Sequence, residues 1–196
     1  PNESQGVQGY RERRWVPWLM LVGDIVALEF CLYLGWLVRA AVNVWFPIPL
    51  DFPVYGGITA GVLVLPVAFF LMGLYPGYGI SEVERLRQQE TGITIVFSSL
   101  LIWDYLAQDG AWSRGILLAT WVFAAFLVPI TYSFLRQLLI RLGHWGMPLI
   151  IVGARDTAEN LISILRGDAR IGLQPVGILD YDSSLIGKTV ANVPIV

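Results

Sequence analysis

Long apolar runs alternate with short polar segments along the first 140 residues of the chain. Four of these runs approach or exceed the length of about 20 residues that crosses a hydrocarbon core of about 30 Å. They occupy residues 15–38, 54–75, 92–107 and 115–140. The third run is the shortest, so we expect its helix to begin upstream of the run or to tilt less than its neighbours. The pattern predicts a bundle of four transmembrane helices over residues 15–142.

The pattern changes after this bundle. A short β-branched run, "PLIIV", is followed by "TAENLISIL", whose apolar residues recur at helical spacing, and then by "VGILD". Strand, helix and strand in this order form one βαβ unit of a doubly wound parallel sheet. The closing residues, "VPIV", resemble the start of another parallel strand. We therefore predict an α/β Rossmann-like domain over residues 146–196, incomplete in this chain because it has too little sheet to bury both faces.

Composition and charge agree with a membrane protein. Hydrophobic residues make up 56% of the chain and charged residues 14%, whereas soluble domains carry roughly a quarter charged residues. The net charge of -2 offers no basis for nucleic-acid binding. The single cysteine, Cys31, lies in an apolar run and excludes an intrachain disulfide.

The arginines predict the orientation of the bundle. Arg39 and Arg114 lie on one side, and the other side carries Arg11, Arg13, Arg14, Arg85, Arg87, Arg136 and Arg141. Because basic residues accumulate on the cytoplasmic side, both ends are predicted to be cytoplasmic, with residues 1–14 as a tail. The first apolar run is longer than the roughly 7–15 apolar residues of a signal peptide, which indicates an uncleaved anchor.

Three acidic residues, Asp24, Glu29 and Asp104, fall inside the predicted spans. Asp24 is about 14 Å into its helix, near the bilayer midplane, where an ionised carboxylate is costly. It is either part of a proton relay, a contact for a lipid head group, or a partner in a helix–helix hydrogen bond. The absence of a basic residue at matching depth favours the hydrogen bond, with three candidate partners: Ser98, Ser99 and Thr120.

The first βα turn is a candidate nucleotide site. The fingerprint G-x-G-x-x-G/A aligns with Gly153, Arg155 and Ala158, so an arginine replaces the middle glycine. A phosphate at this helix N-terminus would meet unpaired N–H groups and Arg155, and Asp180 would accept a ribose hydroxyl. The alternative, which the broken fingerprint favours, is a capping box formed by Asp156 and Glu159 that needs no ligand.

The chain offers no catalytic or metal site by composition. It has one histidine, His144, and no Ser-His-Asp, Cys-His or metal-spaced cluster. We therefore assign no catalytic and no metal-binding residue.

The stretch "GLYPGYGISEVERLR" separates the second and third apolar runs. Its turn residues are Pro76, Gly77 and Gly79. Ser81 with Glu84 fits a capping box for a short amphipathic helix along the cytoplasmic membrane surface. The segment as a whole covers residues 75–90.

This stretch resembles a run, "LYPGYGLSPVEELRR", of the bacterial polyisoprenyl-phosphate hexose-1-phosphate transferases, specifically the undecaprenyl-phosphate galactose phosphotransferase group. Three positions depart from it: Ile80, Glu82 and Gln88. The resemblance extends over nearly the whole chain, through the four spans to "LIIVGARDTAENLI", which looks like the Rossmann-like domain of that family.

The resemblance implies a multi-pass enzyme of the bacterial inner membrane that starts O-antigen, capsule or exopolysaccharide synthesis. Such enzymes transfer a hexose 1-phosphate, here galactose 1-phosphate, from a UDP-hexose to undecaprenyl phosphate with Mg²⁺ and release UMP. The catalytic domain of the family follows the Rossmann-like domain and is absent from this chain, so no catalytic residue is carried over. The chain would supply anchoring, assembly and a regulatory nucleotide site.

Three further expectations stay open. The resemblance and a G-x-x-x-G motif at Gly57 and Gly61 suggest a homodimer. A membrane-bound nucleotide-sugar dehydratase also begins with about four spans and a similar Rossmann-like domain. A non-enzymatic membrane scaffold or sensor is the remaining alternative, because these residues contain no recognisable chemistry.

Overall fold

The structure, a computed structural model, describes residues 14–42, 52–107, 113–153, 155–181 and 187–195. The described residues divide into two compact units. A helical unit contains Pro17–Gly77 and Glu82–Leu135, and an α/β unit contains Tyr78–Ser81 and the chain from Arg136 onward. Arg11 and Arg13, which contribute to the predicted orientation, lie outside the described residues.

Five helices make up the helical part of the chain: α1 (Val16–Val42), α2 (Phe52–Val62), α3 (Val64–Leu71), α4 (Glu82–Ala107) and α5 (Arg114–Arg141). Within the described residues, α1 and α5 are long and apolar enough to cross a membrane. The prediction of four spans is therefore supported for the first and the fourth run only.

The second and third runs differ from the prediction for physical reasons. The second is divided at Leu63 into α2 and α3, and its apolar helical part, Gly57–Leu71, is short. Pro66 explains the division, because it has no N–H to donate and its ring clashes with the carbonyl four residues earlier. The third run begins upstream, as expected, and its helix α4 starts at Glu82. The predicted surface helix is thus the first part of α4, not a separate element.

The two helices of spanning length, α1 and α5, are apolar on their buried and on their exposed sides. The interior of the helical unit includes Leu28, Leu32, Phe69, Phe97 and Leu117, all fully buried. On α5 the exposed residues recur every four positions: Val122, Phe126, Ile130 and Phe134. A helix that is apolar all round is typical of a membrane span, because its outer face meets lipid and not water.

The α/β unit confirms the predicted strand–helix–strand order. Strands β1 (Met147–Val152) and β2 (Leu173–Leu179) are parallel, and α6 (Arg155–Gly167) connects them through a 3-10 turn, Ala169–Ile171. Ala158 and Ile162 of α6 are buried in one cluster with sheet residues. This packing buries the apolar stripe of α6 against one face of the sheet.

The closing strand differs from the prediction. Val193–Pro194 (β4) pairs antiparallel with Thr189–Val190 (β3). Ile195, the last described residue, forms a parallel bridge to Ile178 of β2, which agrees with the predicted parallel direction at this position. The residues between β3 and β4, Ala191 and Asn192, have positive φ angles, which close a tight turn.

Candidate functional site

The YPGYG stretch is formed by residues 75–79, and its first part makes a buried hydrogen bond in the helical unit. The Tyr75 hydroxyl donates to Oδ2 of Asp24 at 2.5 Å, and Asp24 is 1% exposed. Burial, followed by the charge and hydrogen bond of Asp24, raises the pKa of the Tyr75 phenol, so the phenol remains protonated and acts as the donor. The hydrogen bond expected for Asp24 is therefore present, but its partner comes from the turn after α3.

The three partners proposed for Asp24 are not the ones that the structure gives. The Thr120 hydroxyl donates to the carbonyl of Ile116 in its own helix, at 2.7 Å. A threonine bonded in this way is satisfied locally. The partner was missed because Tyr75 was assigned to the end of an apolar run and not to a turn.

Arg85 fixes the same turn from α4. Its side chain is buried, with the residue 3% exposed, and its Cζ lies 3.2 Å from the ring centroid of Tyr132 on α5. Its Nη1 donates to the carbonyl of Pro76 at 3.4 Å, and the Tyr132 hydroxyl donates to the same oxygen at 3.2 Å. Because a buried guanidinium needs such compensation, Arg85, Tyr132 and the turn form one polar cluster.

Gly77 completes this cluster for two reasons. Its φ angle of +78° lies in the left-handed region that favours glycine. A Cβ atom at this position would be 1.8 Å from Nη1 of Arg85. The first glycine of YPGYG is therefore required both by the turn and by the buried arginine. The sequence pattern predicts Arg85 in a cytoplasmic segment, whereas the structure places it in the interior of the helical unit.

The second half of the stretch belongs to the α/β unit. The Tyr78 ring packs edge-on against Trp145, with centroids 4.7 Å apart. The Gly79 N–H donates to the carbonyl of Ile171 at 2.9 Å. Gly172 has a φ of +70°, and a Cβ there would lie 2.6 Å from Nε1 of Trp145 and 2.7 Å from Cδ1 of Tyr78. Tyr78 and Gly79 thus contact Trp145, which lies shortly before β1, and the 3-10 turn that precedes β2.

The predicted nucleotide turn has the expected backbone geometry. Gly153 follows β1 with a φ of +85°, and no atom lies within 4 Å of the position of an added Cβ. Its N–H donates to the carbonyl of Leu179 at 2.8 Å, which places Gly153 beside Asp180 at the carboxyl ends of the two parallel strands. In doubly wound folds this edge of the sheet is where ligands bind.

The charged residues of this turn are described only in part. Helix α6 begins at Arg155, so Asp156 lies inside its first turn and not at the N-cap position that the capping-box interpretation requires. The side chains of Arg155 and Asp156 lie outside the described part of the structure. Gly153, Arg155, Asp156 and Asp180 therefore remain a predicted nucleotide site.

The remaining acidic residues of the predicted spans occupy different environments. Asp104 is fully buried, and its Oδ2 lies 3.8 Å from Nε of Arg114. Glu29 is only partly buried. Within the described ranges, no group of three or more His, Cys, Asp or Glu residues is placed to hold a metal ion. The Mg²⁺ implied by the family resemblance is therefore not assigned to any residue here.

The chain is similar to one family of known domains and to one curated protein. Residues 79–196, more than half of the sequence, match the CoA-binding domain family. The chain belongs to this family. Over 72 residues it is also 32% identical to the undecaprenyl-phosphate galactose phosphotransferase of Salmonella typhimurium strain LT2. The aligned stretch is 37% of this chain and 15% of the Salmonella protein. The two matches confirm the resemblance to the polyisoprenyl-phosphate hexose-1-phosphate transferases.

The CoA-binding domain match includes the last glycine of the YPGYG stretch but not its first four residues. It begins at Gly79 and includes α4, α5 and the α/β unit. Tyr75, Pro76 and Gly77 precede the match and make their contacts in the helical unit. These contacts are therefore a feature that lies outside the matched domain.

We expect Tyr75→Phe to destabilise the helical unit by about 2 kcal/mol, because the buried Asp24 carboxylate loses its donor. Asp24→Leu should cost a similar amount by leaving the phenol unsatisfied, while the double variant should recover much of the loss because both polar groups are gone. Thermal unfolding of the purified chain in detergent measures these differences, with the exposed Tyr33→Phe as the control. Strictly additive effects of the two substitutions would contradict the pairing.

Proposed function

We propose that this chain is the membrane-anchoring and assembly part of a phosphoglycosyl transferase. The full enzyme would transfer galactose 1-phosphate from UDP-galactose to undecaprenyl phosphate, release UMP and so start the synthesis of a bacterial surface polysaccharide. The similarity to the Salmonella phosphotransferase carries this proposal. Because the aligned stretch covers 15% of that protein, we assign catalysis and Mg²⁺ binding to other parts of the enzyme.

The physical demands of this reaction suit the elements that the chain supplies. A sugar nucleotide is charged and water-soluble, whereas a polyisoprenyl phosphate keeps its tail in lipid and its phosphate at the interface. An enzyme that joins them must be held at the membrane surface, and α1 and α5 provide apolar helices of spanning length. We propose that the chain lies in a bacterial inner membrane and that both of its ends are in the cytoplasm, in agreement with the distribution of arginines.

We further propose that the α/β unit binds a nucleotide as a regulatory ligand. Gly153 leaves open space at the carboxyl edge of the sheet, next to Asp180 and the N-terminus of α6. The amide groups of a helix N-terminus favour a phosphate. The CoA-binding domain match supports a ligand of this type, since CoA contains an adenosine diphosphate group.

Two glycines test the nucleotide site with the same backbone cost. Gly153 and Gly187 have φ angles of +85° and +83°, and neither has an atom within 4 Å of an added Cβ. We expect Gly153→Ala to weaken binding of CoA or a uridine nucleotide about tenfold, because its methyl group occupies the space that a phosphate needs. Gly187→Ala should leave the affinity unchanged. Isothermal titration measures both, and equal effects of the two variants would contradict the site.

A homodimer is the proposed assembly. Gly57 and Gly61 both lie on α2, where two small residues four positions apart permit close helix contact. Its test is the molar mass of the detergent-solubilised chain by light scattering, for which we expect twice the mass of 21.8 kDa after subtraction of detergent.

Complementation tests the proposed transferase role in cells. A chimera is made in which this chain replaces the corresponding part of the Salmonella protein, and it is expressed in a strain that lacks that protein. We expect it to restore O-antigen. A chimera that is present in the membrane at normal abundance without restoring O-antigen would favour a scaffold or a dehydratase instead.

A further inference from the structure

A pocket of about 330 Å³ lies in the α/β unit at the amino ends of the two parallel strands. It is at the opposite edge of the sheet from Gly153 and Asp180, so it is separate from the proposed nucleotide site. Its walls come from the end of α5, the end of α6, the 3-10 turn and the start of β2. They include Ile140, Gly143, Trp145, Leu165, Arg166 and Gln174.

The pocket has walls held in place by hydrogen bonds. Trp145 Nε1 donates to the carbonyl of Arg170 at 3.2 Å, and Gln174 Nε2 donates to the carbonyl of Trp145 at 3.1 Å. The edge-on Tyr78 ring packs on the same indole. The YPGYG stretch therefore supports one wall of the pocket, which is preformed in the manner of a ligand site.

The lining suits a ligand with a charged and an apolar part. Ile140, Leu165 and Leu173 supply apolar surface, and Arg166 is a charged lining residue, whose Nη1 also donates to the carbonyl of Ala191 at 2.5 Å. Close by in the sequence, Nε of Arg170 lies 4.0 Å from Oδ1 of Asp168, so these two charges form a pair, and Arg141 follows the lining residue Ile140. The guanidinium groups of Arg166 and Arg141 favour an anion, because guanidinium groups bind phosphates well.

The position of the pocket suits a ligand that comes from the membrane. Helix α5 is one of the two candidate spans, and its last turn reaches Ile140 in the pocket wall. Leu138 and Leu142 beside it expose apolar side chains. A basic pocket at the cytoplasmic end of a spanning helix is the typical setting for a lipid head group.

We propose that this pocket binds the phosphate head group of an anionic membrane phospholipid, with the acyl chains of the lipid against the exposed side chains of Leu138 and Leu142. The binding is independent of sugar transfer. The bound lipid would hold the α/β unit at the membrane surface. Trp145, on which the Tyr78 ring packs, would form part of the binding pocket.

The test is the thermal midpoint of the purified chain in detergent, with short-chain phosphatidylglycerol added and phosphatidylcholine as the uncharged comparison. We expect phosphatidylglycerol to raise the midpoint by about 5 °C more than phosphatidylcholine does. Ala169→Phe places a ring in the pocket from the exposed 3-10 turn, and Arg166→Gln removes the rim charge. In each of these two variants, the difference between the midpoint shifts caused by the two lipids should fall to half or less. Arg87→Gln, which removes an exposed arginine of α4, should retain it.

Three results would overturn the proposal. An equal shift in all variants would mean that the anionic lipid acts by surface charge in general. An equal shift by glycerol 3-phosphate would mean that the ligand is a soluble phosphate and not a lipid. No difference between phosphatidylglycerol and phosphatidylcholine would exclude the site. Should Ala169→Phe fail to fold, Arg166→Gln against Arg87→Gln decides the outcome, because both are surface changes.

Discussion

Gly77→Ala is expected to destabilise the helical unit by about 4 kcal/mol, whereas Gly73→Ala costs about 1 kcal/mol. The two glycines have similar backbones, with φ angles of +78° and +71°, so the conformational penalty is shared. They differ in surroundings, because an added Cβ at Gly73 meets no atom within 4 Å, whereas at Gly77 it overlaps Nη1 of Arg85 and lies 3.0 Å from the carbonyl oxygen of Leu74. The displaced guanidinium loses its place over Tyr132 and its hydrogen bond to Pro76.

The difference between these two variants measures the effect of the crowded surroundings of Gly77, in which Arg85 makes the closest contact. Thermal unfolding or protease resistance in detergent measures it, with each variant compared with the unchanged chain. A second pair adds a check: in an Arg85→Met background, Gly77→Ala should cost little more than Gly73→Ala, since the thioether is flexible and uncharged. Equal destabilisation by Gly77→Ala and Gly73→Ala in the unchanged chain would show that Arg85 does not occupy this place.

Gly172→Ala is expected to destabilise the α/β unit by about 3 kcal/mol, against about 1 kcal/mol for Gly187→Ala. Both positions have positive φ, at +70° and +83°. At Gly172 the methyl group meets the rings of Trp145 and Tyr78. The Trp145 ring has little space to move into, because it is 5% exposed and its Nε1 donates to the carbonyl of Arg170.

Hydrogen exchange locates this second effect. The amides of β1 and β2 should exchange faster in Gly172→Ala, while those of the helical unit keep their protection, because the substitution acts on the α/β unit. Replacement of Tyr78 by alanine in the same variant should return part of the lost protection by making room for the methyl group. Unchanged exchange in β1 and β2 would contradict the packing of Tyr78 on Trp145.

The βαβ order was predictable because it depends on local patterns. The change from a helical period to β-branched runs located β1, α6 and β2, and turn chemistry located Gly153. For the membrane part, local patterns predicted four spans, of which two are helices of spanning length and hydropathy among the described residues. Length and hydrophobicity do not show that a run is divided by a proline, and Pro129 inside α5 shows that a proline alone does not decide the matter.

The contacts of the YPGYG stretch were not predictable from these patterns. Tyr75 meets Asp24 across 51 positions in the sequence, and Tyr132 meets the carbonyl of Pro76 across 56. Such pairs arise from packing between helices, which one sequence does not reveal. One local signal was available: Arg85 and Gln89 are four positions apart, on one face of α4, and both are buried. An arginine on that face could have been recognised as part of the interior.

Release of UMP tests the proposed function most directly. Membranes that contain the chimera with the Salmonella protein are supplied with UDP-galactose, undecaprenyl phosphate and Mg²⁺, and the products are separated by chromatography. We expect UMP and galactosyl undecaprenyl diphosphate in equal amounts. Both products should be less abundant when the chimera carries Gly77→Ala than when it carries Gly73→Ala. A chimera that is abundant and folded in the membrane but releases no UMP would contradict the assignment of this chain to a phosphoglycosyl transferase.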